Sequence, residues 1–285
     1  MSVQRDPTFA VAFGGGGARG LSHIHVIEAL DELGIRPVAI AGSSIGAIMG
    51  AGMAAGMSGR DIRQHTESAL GSGSSVASRI WKARPPSWAD AMGGGFRIGQ
   101  FDIERVVGAF LPEIVPARFQ DLSIPLRVVA TDYFAHAEAV FDKGELLPAI
   151  AASAAIPALF KPVKIDGRVL VDGGITNPVP FDHLEGMADI IIAIDVIGAP
   201  VENGGTTPGT IELLLGSSQI MMQSILALKL QRSRPQIMLH PPVSNFRVMD
   251  FLKIARVLED TASIGDELKL AVENAVRRFE KEAAG

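Results

Sequence analysis

Within its first fifty-five residues the chain twice repeats one local pattern: an apolar β-prone run, a glycine-rich bend, then a helix-forming stretch. Thr8 to Phe13 leads into Gly14–Gly17 and a helical pattern from Ala18 to Leu33, which Gly34 ends. Pro37 to Ala41 leads into Gly42–Gly46 and a small-residue helix that runs to Ala55. A strand that is followed by a helix before the next strand cannot close a tight hairpin. It must cross over and pair in parallel, and the crossover helices then cover the sheet. The uninterrupted apolar run Ile190 to Val196 suits a strand buried on both faces of such a sheet. The expected fold class is therefore α/β, with a mostly parallel central sheet between helical layers.

The rest of the chain fills in that plan. Asp102 to Phe110 is expected as a helix, Leu126 to Thr131 and Ala139 to Asp142 as strands, and Glu145 to Ala154 as a helix. Val163 to Val171 is expected as a hairpin turning at Asp166-Gly167. A long helix is expected over Ile211 to Arg232, a last strand over Gln236 to Leu239, and mostly helix from Val248 to Glu280. No internal repeat or domain boundary is visible. The expectation is one domain over 1–285, with a motif-bearing core at about 8–196 and a helical C-terminal part at about 210–285. Residues 71–99, rich in Gly, Ser and Pro and carrying Trp81 and Trp88, are expected to be a lid, binding loop or interfacial anchor, or equally a mobile, disordered segment.

Composition excludes several chemistries. There is no cysteine, so disulfides, thiolate nucleophiles and Cys-based zinc sites are ruled out. A net charge of −5 argues against a nucleic-acid groove and against general attraction to anionic membranes. The polar stretch Met1 to Pro7 lacks the apolar core of a secretory signal, and no uninterrupted apolar run has the length of a membrane span. These features lead to the expectation of a cytoplasmic protein, with an apolar surface for peripheral membrane contact. Oligomeric state is left open.

Three segments carry chemistry. Gly14-Gly15-Gly16-Gly17-Ala18-Arg19-Gly20 sits between a strand and a helix, where uncovered backbone N–H groups and the positive helix end can hold an anion, either a phosphate or a developing oxyanion. Gly42-Ser43-Ser44-Ile45-Gly46 matches G-x-S-x-G, the strained strand-to-helix turn that raises a serine hydroxyl above a sheet, and only Ser44 holds its central position. Asp172-Gly173-Gly174 ends a β-prone run, from which an Asp can point into a cleft while the chain turns away; taken alone, its carboxylate is better explained by an Asx turn.

Together, in order and spacing, these three segments resemble the signature blocks of the patatin-like phospholipases. Ala130-Thr131-Asp132 and Ala152-Ser153-Ala154-Ala155-Ile156-Pro157 resemble further blocks of that family. The resemblance spans Phe9 to Val196, while the tail from Val201 matches no recognised motif. It implies a three-layer α/β/α patatin-like fold and hydrolysis of a lipid or other acyl ester without metal or cofactor. It also implies a catalytic dyad of Ser44 as nucleophile and Asp172 as base. The loop of Gly15, Gly16, Gly17, Ala18 and Arg19 would form the oxyanion hole. An ordinary aspartate is a weak base at neutral pH, so such a dyad requires Asp172 to be partly desolvated and close to Ser44.

Rival readings use the same residues. A Ser–acid–His triad would take its histidine from His183 or His240, the two that follow Asp172. His23 and His25, two apart on a helix, are expected to pack or cap. Gly15-x-Gly17-x-x-Gly20 also matches a dinucleotide fingerprint, but the next strand ends Ile40-Ala41-Gly42-Ser43 without the acid that would bind a ribose. A Walker loop is excluded because no Lys-Ser or Lys-Thr follows the glycines. A third reading is a lipid-binding regulatory module with little turnover. Arg19 is expected to anchor the glycine loop. Met221, Met222, Leu226 and Leu228 are expected in the core, with an apolar wall for an acyl chain as the sharper alternative.

Overall fold

The computed structural model describes residues 5–73, 102–200 and 207–284. Most of the segment expected as a lid, with Trp81 and Trp88, lies outside the described residues. In chain order the strands are β1 (Phe9–Phe13), β2 (Ala39–Ser43), β3 (Leu126–Asp132), β4 (Ala137–Phe141), β5 (Val163–Ile165), β6 (Arg168–Val171), β7 (Ile190–Ile194) and β8 (Ile237–Leu239). The α-helices are α1 (His23–Glu32), α2 (Ile45–Ala54), α3 (Gly59–Leu70), α4 (Ile103–Phe110), α5 (Leu146–Ser153), α6 (Thr210–Arg232), α7 (Ile254–Asp260) and α8 (Ile264–Ala284).

All eight strands join one sheet. Its parallel part runs β3-β2-β1-β7-β8, and β4, β6 and β5 add antiparallel pairings at the β3 end. Strand alternation divides the apolar residues between two faces. Phe9, Val11, Phe13, Ile40, Ile190, Ile192 and Ile194 point into the larger core, shared with Ile24, Ile27 and Leu30 of α1 and Leu268 and Val272 of α8. The opposite face presents Ala10, Ala12, Ala39, Ala41 and Ala193 to Phe181, Leu184 and Leu226. Small side chains on that face let a thin layer, one 3₁₀ turn and α6, approach the sheet closely. The expected α/β/α layering of the patatin fold is thus present, and so is the hairpin: Asp166 (φ 51°) and Gly167 (φ 77°) both take the positive φ of a two-residue turn.

Two expectations need correction. The stretch from Ala18 opens as a 3₁₀ turn over Gly17–Ser22, and α-helix begins only at His23. Gly17 has φ 61° and the Ala18 N–H donates to Val248 O, which together tighten the entry. The second concerns α6, which is not a core helix. Gln219 and Leu226 are its only buried residues, whereas Met221 and Leu228 face outward. Its contact with the body runs along one side, through Gln219, Met222, Gln223, Leu226, Lys229 and Leu230, as for a helix lying on the outside. By length and composition α6 is also apolar enough to cross a membrane. A search for uninterrupted apolar runs passes over it because Ser217, Ser218, Gln219, Gln223 and Ser224 break the run.

Candidate active site

Strand register brings the serine and the carboxylate together. β4 occupies one edge of β3, pairing from Val128 to Asp132. The other edge is shared: β2 pairs with it up to Ser43↔Val129, and β6 takes over in the opposite direction at Val171↔Thr131. The residue after β2 is Ser44 and the residue after β6 is Asp172, so both chain ends arrive beside Ala130. Ser44 Oγ donates to Asp172 Oδ2 at 2.7 Å, and both residues are buried.

The elbow that presents Ser44 is strained and closely packed. Ser44 has φ 55° and ψ −123°, outside the regions comfortable for a side-chain-bearing residue. It caps the N-terminus of α2, whose positive end points toward its hydroxyl. Gly46 has no alternative, since a Cβ there would lie 2.1 Å from Phe13 O. The Ser44 N–H donates to Ser153 Oγ at 2.8 Å, and that hydroxyl donates in turn to Val129 O at 2.5 Å. One buried side chain thereby ties the elbow to β3.

Asp172 is held as firmly. Its Oδ1 accepts from Gly174 N–H at 2.8 Å, and Thr131 Oγ1 donates to its backbone carbonyl at 2.9 Å. Burial penalises the charged carboxylate and pushes its pKa up from 3.8 to about 6, although the hydrogen bonds from Ser44 and Gly174 pull the other way. This is the desolvation a Ser–Asp pair needs.

The glycine loop packs directly on the elbow: a Cβ on Gly15 would stand 3.2 Å from Ser44 Cβ. Its amides are not equivalent. Gly14 N–H donates to Ile194 O, Gly15 N–H to Pro178 O and Ala18 N–H to Val248 O. Among the described residues, Gly16 and Gly17 N–H have no acceptor, and both residues line the cavity that holds Ser44 and Asp172. Of the residues expected at an oxyanion hole, Gly15 and Ala18 spend their N–H groups shaping the loop, while Gly16 and Gly17 present theirs at the cavity. The Arg19 guanidinium points into the protein and donates to Ile197 O and to Phe246 O at 2.7 Å, as an anchor. His23 Nε2 lies 2.9 Å from Gly14 O, which can only accept, so this nitrogen carries the proton. Burial lowers the pKa of His23 to about 4 and keeps the ring neutral.

The cavity has a volume of about 160 Å³. Beyond Ser44 and Asp172 its walls are mainly apolar: Ile156, Pro157, Leu159 and Ile175 on one side, and Ile211, Leu214, Leu215 and Met222 of α6 on the other. Sequence reasoning gave Ser153 no role, although it lies in a segment singled out for its resemblance. It gave no hint of Val248, whose carbonyl fixes the glycine loop, because nothing in the tail's composition marks it. Neither triad candidate reaches the pair. His183 Nε2 lies 2.7 Å from Glu138 Oε2, and His240 Nδ1 lies 3.3 Å from Asp195 Oδ2. Glu138, Asp182 and His183 are grouped closely enough to suggest a metal site, but Lys229 Nζ already sits 2.6 Å from Asp182 Oδ1 as the counter-charge.

A mostly parallel sheet covered by helices on both faces, with a G-x-S-x-G elbow at the end of its second strand, is an α/β fold of the patatin type. The family model described as patatin-like phospholipase matches residues 11–184, and the chain belongs to that family. Among curated relatives, an uncharacterised NTE family protein of Mycobacterium tuberculosis is 39% identical over 194 residues, covering 68% of this chain and 50% of the relative. Human patatin-like phospholipase domain-containing protein 6 is 34% identical over 192 residues, covering 66% of this chain and 13% of the relative. The chain thus matches half or less of the length of these relatives. The crystal structure of VipD from Legionella pneumophila shares the fold, with a TM-score of 0.52 at 16% identity over 93% of this chain and 67% of that one.

Proposed function

We propose that the chain is a serine-dependent lipid acyl hydrolase that works through a Ser44–Asp172 dyad. The observation that carries the proposal is the 2.7 Å bond from Ser44 Oγ to a buried carboxylate in an apolar cavity lined also by Gly16 and Gly17. Membership of a phospholipase family favours a lipid ester as substrate.

In the proposed reaction Ser44 Oγ attacks the ester carbonyl carbon as its proton passes to Asp172 Oδ2. The carbonyl oxygen becomes an oxyanion and accepts hydrogen bonds from Gly16 and Gly17 N–H. The intermediate collapses with cleavage of the bond to the alcohol, which leaves with the proton from Asp172. Water then attacks the acyl-enzyme and gives a proton to Asp172, and the intermediate collapses to the fatty acid as Asp172 returns that proton to the leaving Ser44 Oγ. An aspartate with its pKa near 6 is ionised at neutral pH and is a stronger base than an exposed one. The core at 8–196 and the tail act as one unit in this reading, since α6 supplies a cavity wall and Val248 braces the loop.

A fluorophosphonate probe with peptide mapping, followed by a panel of soluble esters and phospholipids, tests the proposal. Labelling of Ser44 and fatty-acid release, both lost in Ser44→Ala, are expected. An unlabelled Ser44 together with no release from any ester defeats it.

A further inference from the structure

The cavity at Ser44 is small for a lipid. At about 160 Å³ it is comparable with the ~150 Å³ engineered cavity that accepts a benzene ring. It takes the ester and the first carbons of a chain, and the remainder must lie along the mouth. That mouth is apolar: Ile175, Ile211 and Leu214 line the cavity and are each 41–52% exposed. From there the exposed apolar surface continues over the outer side of α6 through Leu213, Ile220, Met221 and Leu228, the last three 58–64% exposed. No charged residue occurs between Glu212 and Lys229. At the same end of the sheet, past the Ala130 level, the β3–β4 turn exposes Tyr133 and Phe134 as an edge-to-face pair, an apolar ring beside a tyrosine, the amphipathic residue favoured at lipid–water boundaries.

We infer that this continuous face is a docking surface for an uncharged lipid surface, with α6 lying flat in it and the cavity mouth opening into it. The inference rests on the lipid-hydrolase reading. α6 lies along the protein because its inner stripe is pinned: Gln219 and Leu226 are buried, Gln223 Nε2 donates to Gly198 O at 3.3 Å, and Lys229 is paired with Asp182. Its outer side lacks the basic residues by which most interfacial helices select anionic lipid, and the chain's charge of −5 opposes such selection. Attachment is therefore by apolar burial alone. A lipid surface suits this face better than a second copy of the chain. A stable dimer formed through it would lie across Ile211 and Leu214 and close the entrance to Ser44, whereas a lipid surface delivers substrate to that entrance.

The test is co-sedimentation of the full chain with phosphatidylcholine vesicles, beside hydrolysis of a short soluble ester and measurement of mass in solution without lipid. Wild type is expected to bind vesicles equally at low salt and at about tenfold higher salt. The double variant Ile220→Glu/Met221→Glu, at positions outside the cavity, is expected to bind about tenfold or more weakly while retaining soluble-ester turnover. Ile220→Leu/Met221→Leu should bind as wild type does. No binding by wild type, binding that requires anionic lipid and disappears with salt, or undiminished binding by the glutamate variant would each overturn the inference. A lipid-free dimer that the glutamate variant dissociates would also overturn it, by showing that a second copy covers this face. Vesicle binding as expected with no ester cleaved would uphold the docking surface and defeat the hydrolase reading.

Discussion

Replacing Asp172 with Asn removes a buried charge while keeping nearly the same shape, which separates the energetic cost of the site from its chemistry. The carboxyl titrates near 6 in the folded chain and near its ordinary 3.8 when unfolded. Below about pH 3 both states are protonated, and the raised pKa contributes its full stability. As pH rises from about 3 through 6 the unfolded state ionises first, and that contribution is lost. The gap is about two pH units, and at about 1.4 kcal/mol per unit the wild type gives up about 3 kcal/mol that the asparagine variant does not. Any cost of asparagine's altered hydrogen bonds applies at every pH and cancels between pH values. The stability of Asp172→Asn relative to wild type should therefore rise by about 3 kcal/mol, or about 6–12 °C in melting temperature, between about pH 3 and about pH 7.5. Thermal melts of both proteins across that range measure it. In parallel, kcat/KM of the wild type should rise with pH through an inflection near 6, and the variant should have no turnover. A stability difference that stays constant with pH, or an inflection in the ordinary carboxylate range, would refute the desolvated-base reasoning.

Ser153→Ala removes the hydroxyl shared by Ser44 N–H and Val129 O, leaving two buried backbone groups unpaired at about 1–3 kcal/mol each. A lower melting temperature and a reduced kcat at little-changed KM are expected, and an unaltered kcat would mean the elbow does not depend on that brace. His183→Ala should leave ester turnover unchanged, because His183 contacts Glu138 and not the dyad; complete loss of activity would point to a triad. Gly46→Ala drives a methyl to 2.1 Å from Phe13 O, so denaturant melts should show severe destabilisation or no folded protein, and a wild-type midpoint would contradict the packing at the elbow.

What could be foreseen from the residues divides along a physical line. Strand–bend–helix units, the Ser44 elbow and the Asp166-Gly167 turn are set by short-range rules of periodicity, backbone freedom and turn chemistry, and they appear in the structure where the residues indicate, except that the first α-helix starts late, at His23. Asp172 is different. Its own neighbours favour an Asx turn, and its carboxylate does accept from Gly174 N–H as such a turn would, while its other oxygen takes the Ser44 hydroxyl. Local sequence shows only the first of these, because the partner of the second lies 128 residues away in the chain. The free and the engaged amides of the glycine loop were indistinguishable for a related reason. Their acceptors, Pro178 O and Val248 O, lie more than a hundred residues away in the chain. The position of α6 failed for yet another: a helix apolar on most of its circumference gives no periodicity from which to tell an inner side from an outer one.

The shared edge of β3 also accounts for how, in the proposed reaction, a serine and an aspartate would act without a histidine between them. Where acid and nucleophile are held apart, a third group spans the gap and carries the proton. Here β2 and β6 run toward one another along a single edge and stop beside the same alanine, so the carboxylate reaches the hydroxyl directly, at 2.7 Å. The weakness of a carboxylate as base is offset by its environment: the position that gives it contact also buries it, and burial raises its pKa. Contact and basicity thus share one cause. A substitution that loosens the β6–β3 pairing at Thr131↔Val171 should lengthen the bond and let water reach Asp172 at the same time. The pH optimum and the turnover should then fall together, whereas a histidine relay would let either change alone.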